Sequence, residues 1–550
     1  MEAVLPKTIN YLDTLPKAIP SEKKRRNFFP ANGQSFVAGQ TVIIEVSDPR
    51  HFLDVSNSFL RFTVTLNNAG AGALTFNPDY GGGYSWLRNF RVQQNGNTIM
   101  DLQRYNRLYS AIIAPTTGAN DWSQTTSLTN QIGTANRTGA AALNTPATQP
   151  ETDGGVLKLT QCGAIANPLL GGNGASADFC VPLYGGLFSQ DKLIPLPLLN
   201  QPLQLIFDLE DDINCGAWSA APGVGQGLSV GNFRYCAELV DVPREIIGYL
   251  KTVQEQHGGA LIIPSSSYEH QQATLDGMVA AGGAVNSGFQ GEKIVSIPSR
   301  KRSIKSVQFC CMSNPAGQIE AIAALGGSAI PGTGVHSVYN LSCSKNPCIV
   351  DYQLKAGAHV MPPTAINGPG GRSINLPAGG CGTAPVANLP NKEENRGEVC
   401  LEVAKAVGHL GTMIGLGNCN CLTFHNDPLN VGTDWCVTQA QGAAGADSIA
   451  SNNATILATL IENQWNFSPF AIDLESYQKE ALNAGFDTKS LSLQMNLVLN
   501  INNQRSTLGA AGLTPGPLNL GMVNDVLVDT FTYYDVMYYI NSDGTITYSD

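Results

Sequence analysis

The sequence predicts an all-β protein built as two tandem antiparallel domains, and three observations carry that expectation. Short runs of strict apolar–polar alternation recur along the chain, each bounded by Gly, Asn, Asp or Pro, the punctuation of antiparallel sheets. One of these runs, Leu203 to Glu210, points Leu203, Leu205, Phe207 and Leu209 one way and Gln204, Asp208 and Glu210, with Ile206, the other. It has a counterpart near the far end, where Leu493, Met495, Leu497 and Leu499 alternate with Gln494, Asn496 and Asn500. Each member of the pair is followed by a loop and a long aromatic strand, FRYCAELVDV from Phe233 and FTYYDVMYYI from Phe531. A repeat this long exceeds the roughly 20–50 residues of solenoid or propeller units and implies duplicated domains.

Composition agrees. The chain has 550 residues, 43% of them apolar, enough for more than one real core. Only 14% are charged, about half the usual share near 25%, which suits a β-rich protein whose surfaces are largely covered by neighbours. The net charge of −11 argues against a molecule-wide nucleic-acid binder, because phosphate binding needs a cationic field. Residues 1–30 hold four prolines, three acidic residues and no apolar core of a signal peptide, and no run approaches a membrane span. Synthesis in the cytosol is expected. Thirteen cysteines, an odd number, read as free thiols by default.

In chain order, residues 1–35 read as an N-terminal basic arm. Lys23, Lys24, Arg25 and Arg26 are its one charge run, a candidate contact with an anionic surface or a partner. The first domain is expected over 36–250. It contains SFVAGQTVIIEVS, FLDVSNSFLRFTVTL and a strand from Tyr84 to Val92 that ends at an Asn-Gly hairpin turn. Met100 to Ile113 carries Leu102, Tyr105, Leu108, Tyr109 and Ile112 at helical spacing, with Pro115 beyond. An aperiodic Thr-, Ala-, Gly- and Asn-rich insertion is expected over 114–178. The second domain is expected over 251–550, with strands in LIIPSSSYEHQQATL, EKIVSIPS and SIKSVQFCCM and an insertion over 313–391. Its helix-like segment from Glu398 to Leu410 occupies the place that Met100 to Ile113 holds in the first half.

No motif carries a convincing chemistry. Gly227-Leu228-Ser229-Val230-Gly231 is formally G-x-S-x-G, but a nucleophile elbow needs a strand before the serine and a helix after it; here a loop precedes and a strand follows. Cys419 and Cys421, with His425, Cys436 and His409, lack the spacing of a structural zinc site. Cys343 and Cys348 could bridge only in an oxidising medium. Cys310 and Cys311 are adjacent on a strand and point to opposite faces. Glu210, Asp211 and Asp212 lack the calcium-loop pattern and read as a solvated strand end or an intersubunit charge pair. No Walker, HExxH or dinucleotide fingerprint occurs. No catalytic residue, cofactor or metal is expected.

The stretches LRNFRVQQNGNTIMDLQRYNRLYSAI, GLFSQDKLIPLPLLNQPLQLIFDLEDD, SRKRSIKSVQF, FAIDLESYQKEALNAGFDTKSLSLQMNLVLN and DVLVDTFTYYDVMYYINSDGTITYSD resemble the double jelly-roll major capsid proteins of icosahedral double-stranded DNA viruses. The polinton-like virus and virophage branch is closest; the adenovirus, tectivirus and giant-virus proteins are more distant. The resemblance implies two tandem eight-stranded antiparallel jelly-roll β-sandwiches with short helices and long loop insertions. It implies a virion structural protein, not an enzyme, that forms pseudo-hexagonal homotrimers tiling a shell around the genome. Implied partners are the chain itself, neighbouring capsomers, a single jelly-roll penton protein and minor or cement capsid proteins, with no sequence-specific nucleic-acid binding. An internal membrane is left open. The rival expectation is a secreted β-sandwich that binds glycans or serves as an adhesin; it calls for a signal peptide that is not evident.

Overall fold

The computed structural model describes residues 21–68, 75–78, 81–113, 170–218, 224–256, 258–277, 289–313, 341, 344–345, 347, 349–368, 396–407, 465–466, 469–476, 485–502 and 526–550. In the first half the main strands are β1 (Glu22–Phe28), β2 (Ser35–Val37), β3 (Thr41–Val46), β4 (His51–Asn68), β5 (Thr75–Pro78), β6 (Leu87–Gln94), β7 (Asn97–Leu102), β8 (Leu170–Gly171), β9 (Ser176–Pro182), β10 (Leu203–Leu209), β11 (Gly216–Trp218) and β12 (Gln226–Asp241). One wall runs β1-β12-β4-β9, with β2 continuing the β1 edge, and the other runs β3-β10-β6-β7. Every pairing is antiparallel. Taking β1 and β2 as one interrupted strand, the eight wall strands pair in the orders 1-8-3-6 and 2-7-4-5.

The second half repeats that order. Its strands are β13 (Ala260–Leu275), β14 (Gln290–Ile297), β15 (Ile304–Ser313), β16 (Ser344–Lys345), β17 (Ile349–Ala356), β18 (His359–Asn367), β19 (Trp465–Asn466), β20 (Phe470–Asp473), β21 (Met495–Asn502), β22 (Val526–Asn541) and β23 (Ile546–Ser549). The walls run β13-β22-β15-β20 and β14-β21-β17-β18. Both halves are therefore jelly rolls. The paired stretches recognised in the sequence, Leu203–Glu210 with Leu493–Asn500 and Phe233 with Phe531, occupy the seventh and eighth strands of each.

Period-two alternation builds both cores. Leu60, Phe62, Val64 and Leu66 of β4 are buried while Arg61, Thr63 and Thr65 are only partly covered. In the facing wall Phe207 is registered with Phe90 and Leu205 with Val92, and the rings of Phe90 and Phe207 stack at 4.8 Å. Phe207 also meets Phe233 of the opposite wall at 5.7 Å, closing the sandwich. Rings of this size bury large apolar areas, so their contact dominates the adhesion of the two walls.

Several sequence expectations change. Met100 to Leu102 belong to strand β7, paired with β6, because the Asn95-Gly96 turn (φ 52° and 77°) folds the chain back at once. The helical part is a short turn, Tyr105–Arg107, continued by a wider π turn at Leu108–Ile113. The strand expected from Tyr84 begins at Leu87, after a 3₁₀ turn at Gly82–Trp86. The insertion expected to end at 178 ends earlier, since β8 and β9 lie within its last residues. That expected over 313–391 contains β17 and β18, an antiparallel hairpin hidden among glycines and prolines. Pro362 and Pro363 are tolerated there because β18 is, among the described residues, an edge strand with one unpaired side.

The expected arm is also revised: Glu22–Phe28 is an edge strand, not a free tail. A helix absent from the sequence reading, α1 (Arg244–Gln256), joins the two sandwiches. The second-half helix, α2, spans Arg396–Ala406, and both helical segments fall between the fifth and sixth wall strands of their sandwich. Cysteines 419, 421, 436, 343 and 348 and histidines 409 and 425 lie outside the described residues.

Candidate functional site: the seam between the sandwiches

The helical turn after β7 presses the first sandwich onto the outer face of the wall β13-β22-β15. Its position is set by a tyrosine cluster. Tyr84 and Tyr109 stack at 3.8 Å, Tyr105 and Tyr184 lie 5.0 Å apart, and the Tyr84 hydroxyl donates to the Pro182 carbonyl at 2.6 Å. Burial drives the phenols of Tyr84, Tyr105 and Tyr184 well above the ordinary range, so they stay neutral. Leu108, Ala111 and Ile112 then pack against Cys310 and Phe531 of the second sandwich. Cys310 and Cys311 do face opposite ways, and both are buried: Cys311 enters the second core and Cys310 the seam. Burial raises the Cys310 thiol to about 12, which removes it from thiolate chemistry at neutral pH.

Arg107 crosses this seam. Its side chain is 2% exposed and its Nε donates to Asp529 Oδ2 at 3.2 Å, with Asp529 1% exposed. The same guanidinium donates to the Leu341 carbonyl and, at 3.5 Å, to that of Cys311. The second oxygen of Asp529 meets His270 Nε2 at 3.0 Å and Gln272 Nε2 at 2.8 Å. Burial alone would raise the Asp529 carboxyl, but the His270 hydrogen bond and the nearby Arg107 charge outweigh it and hold it at about 2. This buried, saturated network joins residues 422 positions apart.

Three further contacts fix the angle between the sandwiches. The Gln94 amide donates to the Gly544 carbonyl at 2.9 Å and accepts from Ile546 N–H at 2.7 Å, so a side chain of the first sandwich substitutes for a strand rung of the second. Ser265 donates to the carbonyls of Gly186 and Ser189 at 2.5 and 3.1 Å. Gly186 has φ 52°, and a Cβ there would meet Met100 Sδ and, at 2.5 Å, the Tyr538 hydroxyl. Only glycine permits this approach.

The residues singled out in the sequence are placed elsewhere. Lys23 reaches Asp54 at 3.4 Å, Lys24 reaches Glu22 at 3.4 Å, Arg26 reaches Asp48 at 2.9 Å, and Arg25 lies over Phe59 at 4.6 Å. The charge run is thus folded onto its own sandwich. Ser229 of the formal G-x-S-x-G lies within β12, paired with β2 and β4, and the strand runs on to Asp241, so no helix starts at the serine. Glu210 is 1% exposed, accepts from Asn106 and Asn214 at 2.8 and 3.1 Å, and lies 3.6 Å from Arg104. That corrects the expectation of a solvated or intersubunit acid. Asp212 accepts from Leu228 N–H at 3.0 Å, and burial pushes its carboxyl up to about 6, with Asp211 adding to the shift. Among the described residues no group of three or more His, Cys, Asp or Glu is arranged to hold a metal.

No family model matches the sequence, and no curated protein sequence matches it. Solved structures do. VP54 of PBCV-1, in a crystal structure fitted into a reconstruction of the virophage Sputnik, has a TM-score of 0.53 at 10% identity, covering 98% of this chain and 99% of that one. The PBCV-1 virus capsid matches with a TM-score of 0.51 at 7% identity, over 98% and 100% of the two chains. The mavirus major capsid protein has a TM-score of 0.43 at 10% identity, over 99% and 93%. The structural neighbours are double jelly-roll major capsid proteins, and the fold of this chain is a double jelly roll along its length.

Proposed function

We propose that this chain is the major capsid protein of an icosahedral virus, a structural subunit with no catalytic role. The observation that carries the reading is the pair of jelly rolls with one strand order, locked across a buried seam, in a chain that matches VP54 end to end. Two similar rigid bodies side by side give a subunit with two similar walls. Three such subunits around a threefold axis present six similar faces, and a pseudo-hexagon of this kind tiles a flat facet with nearly equivalent contacts. The homotrimer, the double-stranded DNA genome inside the shell, the penton and cement partners, and synthesis in the host cytoplasm belong to the same proposal.

Within it, β1 is the contact toward interior partners. Among the described residues it is an edge strand with one unpaired side. Its cations Lys23, Lys24 and Arg26 remain 57%, 50% and 53% exposed despite their pairings, and exposed edges of this kind add strands or dock acidic surfaces. Light scattering and negative-stain imaging of the purified chain test the function. The expected particle is a hexagonal outline near three times the 58.2 kDa chain mass. Monomers persisting at high protein concentration would sink the reading.

A further inference from the structure

An opening lies in the seam beside β6 and β14. It is a cleft of about 710 Å³ between the sandwiches, within the size range of ordinary ligand sites. Arg88, Asn89, Gln103 and Arg104 form one wall, Gln271 and Ser296 stand on the other, and no acidic side chain lines it. The cleft thus presents guanidinium and amide groups.

The charges behind the lining sharpen the point. Asp208 is committed to Arg91 at 3.0 Å and to Thr41 at 2.8 Å, Asp529 to Arg107, and Glu210 to Asn106 and Asn214. Asp101 accepts from the Gln103 amide at 3.3 Å, so four carboxylates stand near four arginines, and the point turns on how each arginine is partnered. Arg104 has only the 3.6 Å approach to Glu210, beyond a good hydrogen bond. Arg88 has no ion-pair or hydrogen-bond partner among the described residues.

Arg88 and Arg104 both line the cleft. Arg104 has φ 51°, a left-handed conformation that a non-glycine residue adopts at a cost of order 1–3 kcal/mol. It is held there by its N–H donating to Asn89 Oδ1 at 3.1 Å, beside Arg88.

We propose that this cleft binds a small ligand through an oxyanion, either a carboxylate or a phosphate, gripped by Arg88 and Arg104 and aligned by the surrounding amides. Guanidinium forks match both oxyanions in geometry. The test is calorimetric titration of the purified full chain with pyrophosphate and, separately, with citrate, at fixed ionic strength. Saturable binding of either is expected; binding of one alone identifies the oxyanion class. Arg88→Gln should weaken it at least tenfold while leaving the ligand-free melting temperature unchanged. Ser296→Glu, an exposed change that sets a carboxylate in the cleft, should weaken it as much and covers a folding defect in the first variant. Arg61→Gln, remote from the cleft, should not alter it. Absence of saturable binding, or equal binding by Ser296→Glu and the native chain, would overturn the proposal.

Discussion

In the first sandwich the wall that ends on β1 and β2 is stitched from two short strands, and β12 passes β4 with register shifts at Gly231/Arg234 and Cys236/Glu238. In the second, one sixteen-residue strand, β13, pairs with β22 from end to end without a shift. The interiors compensate in opposite directions. The irregular first sandwich is filled by a continuous set of rings, Phe62, Trp86, Phe90, Phe179, Phe207 and Phe233. The second, in which β22 shifts register against β15 and β17 shifts against both its neighbours, has fewer rings among the described residues, centred on Phe309, Tyr352 and Phe470, and buries polar groups on β22: Asp529, Thr530, Thr532 and Asp535. Those at the seam are dry because the first sandwich covers them. The first half leans more on rings and the second more on polar groups, and the seam buries Arg107 of the one with Asp529 of the other.

The largest effect that would break this asymmetry is at Arg107. Arg107→Ala leaves Asp529 buried without its cation, and removal of one partner of a buried pair costs about 3–5 kcal/mol. Urea denaturation followed by two probes should show the second sandwich unfolding first, in a separate transition. A single transition with a loss below about 1 kcal/mol would mean that each half stands alone.

Titration should separate the halves by sign. Asp529 has a folded value near 2 against an ordinary 3.8, so its stabilisation is complete above about pH 4 and lost as pH falls toward 2, at most about 2 kcal/mol. Asp212, in the first sandwich, lies near 6 in the fold. Its ionisation therefore penalises the folded state above pH 6, and stability rises as pH falls from 6 toward 4. Asp212→Asn should stabilise the protein by about 1–2 kcal/mol at pH 8, after allowance for partial exposure, and flatten the slope between pH 4 and 6. Melting temperatures across pH 2–8 read both windows. The smallest effect is at the first sandwich's edge. Arg26→Ala, with the arginine 53% exposed, should cost under about 1 kcal/mol and less still in high salt.

Much of the fold was legible because strands buried on one face must alternate. Leu203 to Leu209 and Leu60 to Leu66 declare their inner faces directly, and the duplication follows from recognising that pattern twice. The hairpin β17–β18 escaped because its turn glycine and edge prolines resemble the surrounding loop composition. Strand β1 escaped because EKKRRNF reads as a charge run, although cations are an ordinary guard on sheet edges. The seam was not legible at all. Arg107 sits in MDLQRYNRLYSAII where a helical reading sends it to solvent, and nothing local announces a carboxylate more than four hundred residues onward.

The double bond made by Gln94 has a mechanical consequence. An amide that both donates to Gly544 and accepts from Ile546 keys one sandwich to a single notch on the other, so the pair has one docked angle and cannot hinge by small degrees without losing both bonds. Any larger structure assembled from this chain must therefore accommodate its bending at the joints between molecules, with each molecule behaving as a stiff plate.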